Sequence, residues 1–355
     1  MAINPLTLGR RFTRERIQSL STTVARQSIA ATFAMLIVSV ASVHAETSDV
    51  RIAMGFGIHY LPFYVMEKEQ LLEKRAKAAG LPPIKVEYLR MSGGAALNDA
   101  ILSGAADFAG AGVGPFAILW DKSKGNVKAI AAMGDVPMSL LTNDPRIKTL
   151  ADLKDGDRIA LPAVKASMQA TMLQLAAAKL LGDTNYSGLD QYTATLPHSE
   201  ATTALLSGNG VVNGHFSVEP YVTREKSNPA VREITNSTEI VGGPMSLNLV
   251  FCTVKFHQAN PTIVRIMVEA LRDANDFIRN NRAVAAKIYF ETDRGAATDV
   301  AMVEQALASP SLNFTVVPHG ITTFVGFMHR VGLVKRRPAS WKDLFFPEAA
   351  ALDGN

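Results

Sequence analysis

From residue 46 onward, short β-type apolar runs alternate with longer stretches of helical periodicity, the pattern of an α/β fold with parallel strands. Residues 50–54 read as a strand, followed by a loop and a helix over about 63–74. A second strand is expected at 84–88, and a second helix at 95–102 is closed by Ser103-Gly104. A short third strand at 107–111 runs into the turn Gly112-Val113-Gly114-Pro115.

The same order then returns. Residues 157–161 (Asp-Arg-Ile-Ala-Leu) repeat 50–54 (Val-Arg-Ile-Ala-Met), at an offset of 107 residues. Leu206-Ser207-Gly208 repeats Leu102-Ser103-Gly104 at an offset of 104. Between them a helix is predicted over 167–181, ended by Gly182, with Met168, Met172, Leu175 and Leu180 near helical spacing. A glycine-rich strand and a turn with Pro220 follow. Two similar α/β units in one chain are what a two-lobed clamp requires. The remainder is mostly helical, beginning at Asn260-Pro261, a cap with proline in the first helical position. No low-complexity linker separates the units, so the connections are expected to be short crossovers near 138–142 and 247–253, acting as a hinge.

Composition matters mainly through where the charges fall. The 355 residues are 48% hydrophobic and 19% charged, with a formal net charge of +4. Five arginines and a single acid lie in residues 1–45; without them the chain has 31 bases and 31 acids. The apparent basicity is therefore confined to the N-terminus and gives no footprint for nucleic acid. Residues 1–45 read as an export signal: a basic stretch ends at Arg26, an apolar run spans 29–41, and Val43-His44-Ala45 offers a cleavage site. The run falls short of the ~20 residues a spanning helix needs. Cleavage near Ala45 and a periplasmic protein are expected, with Arg10-Arg11-Phe12 leaving open whether export uses a twin-arginine route. The lone Cys252 sits in an apolar run and reads as a core residue.

In open α/β sheets ligands bind beyond the carboxyl ends of the strands. Each strand here is followed there by small residues: 55–60 with His59, Ser92-Gly93-Gly94, Gly112–Pro115 with Gly114, and 163–167 with Ser167. Glycine and serine admit backbone N–H groups close to a ligand, and helix N-termini favour an anion. Each residue also has a plainer reading, as a turn glycine, a solvated Lys165 or an exposed loop His59. His215, Phe216 and Glu219 occupy the matching loop of the second unit, where Glu219 has an equal claim as a surface residue. No metal-ligand spacing, nucleophile elbow or P-loop is present, and Gly55-x-Gly57 lacks the rest of a dinucleotide fingerprint. No catalytic residue, metal or cofactor is expected.

At these loops the chain resembles the periplasmic solute-binding proteins of sulfonate, nitrate and taurine ABC transporters. The matching stretches are 51–61 with the helix ending Leu71-Leu72-Glu73-Lys74, then 92–97, 102–111, Ile147-Lys148-Thr149-Leu150-Ala151-Asp152-Leu153-Lys154, 158–167, 205–221 and 332–345 with Trp341. The resemblance implies a type II periplasmic-binding-protein fold, with lobe one at 49–138 plus 247–345, lobe two at 139–246, and a two-crossover hinge. It implies a monomeric binding protein, not an enzyme, that holds a small anion (a sulfonate or carboxylate) between the lobes and serves an ABC permease. Carried over loop by loop, its binding positions are His59, Ser92, Gly93, Gly94, Gly114, Ser167 and Phe216. Asn213 stands where the family often has an acid, and Phe216-Ser217 where it often has tryptophan, which bears on sulfonate specificity. The alternatives are a pyrimidine-precursor-related enzyme on the same fold, lacking its cysteine-rich iron motif here, and a sensory ligand-binding protein.

Overall fold

Chain order and sheet order differ in the same way twice. The computed structural model describes residues 46–91, 93–165, 167–293 and 299–355, so the expected export signal and Ser92 lie outside the described residues. The first sheet holds β1 (Asp49–Met54), β2 (Lys85–Arg90), β3 (Phe108–Gly112), β4 (Val127–Asp135) and β10 (Ser246–Thr253), in the order β2-β1-β3-β10-β4. The second holds β5 (Met138–Thr142), β6 (Ile159–Leu161), β7 (Thr193–Thr195), β8 (Gly214–Val218) and β9 (Arg232–Asn236), in the order β7-β6-β8-β5-β9. β1 lies between β2 and β3, and β6 between β7 and β8, each pair in parallel register. The strand that enters on crossing between sheets, β10 or β5, pairs antiparallel on both its sides. The sequence repeat is therefore a repeat of topology, and each sheet with its helices forms one lobe.

The chain leaves the first sheet after Asp135 and starts β5 at Met138; it returns between Gly242 and β10, which starts at Ser246. Both incoming strands are almost wholly buried, so the crossings are anchored in the two cores rather than tethered on the surface.

The helices follow from local chemistry. The expected helix at 63–74 is two, α1 (Leu61–Glu69) and α2 (Leu71–Ala78), because Gln70 between them is left-handed with φ of 51°. The loop expected at 112–115 is instead the first turn of α4 (Val113–Lys122), after α3 (Gly94–Ser103). Pro115 is tolerated there because the first-turn N–H groups have no helical partner. The second lobe carries α5 (Met168–Leu181), α6 (His198–Ser207), α7 (Tyr221–Lys226) and α8 (Ser237–Val241). The chain closes with α9 (Val254–Ala259), α10 (Pro261–Asn280), α11 (Arg282–Thr292), α12 (Val300–Leu307) and α13 (Ile321–Arg330).

Close packing decides two details. β3 is built of small residues, and a Cβ on Gly110 would stand 2.8 Å from the Phe63 ring and 2.9 Å from Met133 Sδ, so α1 and β4 press on it directly. α10 buries an apolar stripe from Ile263 through Ile278 and lies across α1 and α2. Its N-terminus is not capped by Asn260 as the sequence suggested. The Glu46 carboxylate accepts from the backbone N–H of Thr262 at 2.8 Å and of Ile263 at 2.7 Å, while Asn260 Oδ1 accepts from Thr47 N. A carboxylate also suits the positive end of the helix dipole.

Candidate functional site

The carboxyl ends of β1 and β2 deliver loops, and that of β3 the start of α4, to the edge that faces the second lobe. After β1, Gly57 adopts φ 110° and ψ 165°, and its N–H donates to Asp293 Oδ2 at 2.6 Å. A Cβ on Gly57 would stand 2.8 Å from His59 Cε1, so the loop wraps the His59 ring in a way only glycine allows. Tyr60 Oη donates to Gly110 O at 2.9 Å and Tyr64 Oη to Gly55 O at 3.3 Å, fixing the loop from below. His59 is half-buried, with Nδ1 enclosed and lacking a partner. Loss of solvation pulls its pKa down to about 4, so the ring is neutral at pH 7. Burial raises the Asp293 carboxyl above its usual range, against the Gly57 N–H bond that holds it down.

Three helix starts gather beside this loop. Gly93, with φ of 82°, precedes α3, and a Cβ on Gly94 would collide with Pro115 at 2.6 Å, which sets α3 against the first turn of α4. Asn98 Nδ2 donates to Pro115 O at 2.9 Å and locks the pair. From the other lobe, α5 begins at Ser167, whose hydroxyl accepts from Ala170 N at 3.1 Å. A Cβ on Gly114 would meet Thr171 Oγ1 at 3.5 Å and Met168 Sδ at 3.7 Å, so α4 and α5 approach each other end on. Residues 168–178 of α5 are buried on every side, polar ones included, as befits a helix enclosed by both lobes. The lobes also touch at the rim, where Arg330 Nε donates to Asp183 Oδ2 at 2.8 Å and α12 packs on α7.

Behind α5 the second lobe holds a continuous polar chain. Gln169 Nε2 lies 3.1 Å from His198 Nε2, His198 Nδ1 lies 2.8 Å from His215 Nε2, and His215 Nδ1 lies 2.6 Å from Glu225 Oε1. Thr202 Oγ1 donates to the same Glu225 oxygen at 2.6 Å. His215, Glu225 and Thr202 are fully buried, whereas His198 is half-buried at the cleft end and stacks on Tyr221. Burial, then His215, then His59 across the gap hold the His198 pKa well below its ordinary value.

The structure brings His59, Gly93, Gly94, Gly114 and Ser167 to this region, each at a strand-end loop or helix start. Phe216 is fully buried within β8, and strand alternation puts it on the opposite face from His215. His215 is likewise in the strand rather than a loop. Glu219 accepts from Thr223 N and Oγ1 at the start of α7, and burial raises its pKa. Lys165 is exposed. Two contributors were missed from sequence, Asp293 and His198. The repeat offers a signal for the latter: α3 and α6 both span ten residues, and adding the offset of 104 to Gly94 gives His198.

No protein-family model and no curated protein sequence matches the chain. Solved structures do. The alkanesulfonate-binding protein SsuA from Xanthomonas axonopodis pv. citri, bound to MOPS, superposes with a TM-score of 0.63 at 21% identity, covering 82% of this chain and 96% of that one. The periplasmic aliphatic sulphonate binding protein SsuA from Escherichia coli gives 0.66 at 19% identity, covering 85% and 92%. The periplasmic nitrate-binding protein NrtA from Synechocystis PCC 6803 gives 0.62 at 11% identity, covering 84% of each. At these identities the likeness is one of fold: the chain has the periplasmic-binding-protein architecture that its motifs implied.

Proposed function

We propose that this chain is the ligand-capturing component of an ABC importer, exported to the periplasm, and that it holds a small anion between its two lobes. The observation that carries the reading is the meeting of the α3, α4 and α5 N-termini at one place, two from one lobe and one from the other. Unpaired N–H groups and three positive dipole ends favour negative charge there without any catalytic group. An anion touching both lobes stabilises the closed arrangement by as much as it binds closed better than open. The permease then reads closure from the lobe surfaces. Neighbours of this fold that bind alkanesulfonates and nitrate support the choice of an anion.

The test is thermal unfolding of residues 46–355 with alkyl and aryl sulfonates, carboxylates and nitrate, followed by solution scattering on any hit. A ligand at a hundredfold excess over Kd adds about 2.7 kcal/mol of stability. The expected result is stabilisation by one anion class with a smaller radius of gyration. Stabilisation only by cations or neutral solutes overturns the assignment.

A further inference from the structure

We propose that an anion entering this cleft brings about one proton with it, taken up by the Gln169–His198–His215–Glu225 relay. The inference rests on the reading of the cleft as an anion site, and it adds what the ligand must be accompanied by. The direction of the relay follows from its buried end. Glu225 Oε1 accepts from Thr202 and from His215 Nδ1, so with a single ring proton His215 is the Nδ1–H tautomer and offers a lone pair at Nε2. His198 must then donate through Nδ1, which leaves a bare lone pair at its own Nε2, where the Gln169 amide donates. With one N–H on each ring the pattern closes without a charged imidazole, and the chain ends on the Glu225 carboxyl group, whose Oε2 has no partner.

An anion set against the cleft end of this chain faces that buried carboxylate through two neutral rings. Like charges in a poorly solvated site repel strongly, and a proton on the ring between them reverses the sign of both interactions. His198 is the ring able to take it. Protonated at Nε2 it still donates through Nδ1 to His215, and the Gln169 amide turns to present its oxygen instead of its N–H. The proton comes from solvent and no bond is broken.

Around His198 stand His215 from β8, Gln169 from α5, Tyr221 and Glu225 from α7, and His59 from the turn after β1. Among them only Glu225 is acidic, and Asp293 lies one step further off, within electrostatic reach of Tyr221. His59 Nδ1 is enclosed without a hydrogen-bond partner. The low proton affinity of His198 in the free protein, set by burial and by the two neighbouring histidines, keeps the site uncharged until the anion arrives.

Titration calorimetry of the purified protein with ethanesulfonate, benzoate and nitrate, each in Tris, triethanolamine and imidazole buffers, measures the protons exchanged. The expected slope against buffer ionisation enthalpy is about one proton taken up per anion, and affinity falls by up to about tenfold per unit of rising pH. Glu225→Gln, which keeps the acceptor oxygen, is expected to cut the uptake below half, while His329→Gln, outside the relay, leaves it unchanged. Nitrogen-15 spectra of the histidine rings decide the matter without a variant: Nδ1–H tautomers of His198 and His215 in the free protein, and a doubly protonated His198 in the complex. Anion binding with no proton uptake, or uptake that survives Glu225→Gln and maps to His59, overturns the relay but not the anion site. If none of the three anions binds, both readings fall.

Discussion

His319 Nδ1 lies 2.8 Å from Asp135 Oδ2, and this contact ties together the two places where the chain changes sheet. Asp135 ends β4, immediately before the first crossing; Ser246 opens β10, immediately after the second. Ser246 Oγ donates to Asp135 Oδ1 at 3.1 Å, Asn313 Nδ2 donates to Oδ2 at 3.3 Å, and the His319 N–H donates to Ser246 Oγ at 3.0 Å. One buried carboxylate therefore holds both hinge strands and the segment leading into α13. The serine bonds the acid rather than the imidazole Nε2, so these three residues brace the hinge and do not form a nucleophilic triad.

Asp135→Ala strands three donors at once and is expected to cost about 3 kcal/mol, since each unmet buried group costs about 1–3 kcal/mol. Asp135→Asn, keeping one acceptor oxygen, costs about 1 kcal/mol. Urea unfolding followed by circular dichroism separates the two; equal losses would show that the network contributes nothing through its hydrogen bonds.

Gly57→Ala meets two obstacles, a backbone conformation reserved to glycine and a contact of 2.8 Å with His59 Cε1. It is expected to lose about 2 kcal/mol of stability and to disturb ligand binding by pushing His59 from its place. Gly80→Ala, where φ is 76° but nothing lies within 4 Å, carries only the backbone part, about 1 kcal/mol. Comparing melting temperatures and affinities of the two isolates the ring contact.

Ser167→Ala removes the hydroxyl that caps α5 and costs about 1 kcal/mol. Ser167→Asp restores the cap with a carboxylate, so stability returns while affinity for an anion falls. If both variants bind anions like the parent, the α5 N-terminus takes no part in the site.

Acid should destabilise the free protein through the cleft histidines. His59 has an ordinary pKa of 6.5 and a folded-state value of about 4, so between these limits the unfolded chain binds the extra proton. Folding stability therefore falls as pH drops from about 6.5 towards 4, and His198, shifted in the same direction, adds to the loss. Denaturant midpoints across this window should show a shallower decline in His59→Gln than in the parent. Parallel curves would mean that His59 stays solvated.

Most of the architecture could be read along the chain because it is local. Alternating strands and helices, the Ser-Gly helix stops at 103–104 and 207–208, and the Ser167 cap each depend on a few adjacent residues. The break at Gln70 escaped detection because a left-handed glutamine has no pattern of its own. The start of α4 directly after β3 was hidden by glycines and a proline that resemble a turn. In the site, glycine and serine loops were visible for the same local reason. The relay was not: its members sit on α5, α6, β8 and α7, and only folding brings them within 3.1 Å of one another. Asp293 reaches Gly57 across 236 residues. Phe216, a binding position by resemblance, lies buried in β8 on the opposite face from His215, and which face a strand residue takes depends on a register of one.

The Glu46 cap on α10 makes this helix end sensitive to the presence of one side chain. It stands immediately after Ala45, so a peptidase cutting between them would leave the capping side chain as the new terminal residue, its freed ammonium group beside the helix's positive end. Trimming by a single further residue would remove both hydrogen bonds, and recombinant forms that begin at Thr47 would melt earlier than those that keep Glu46. The residue at which the chain begins is therefore expected to set its thermostability.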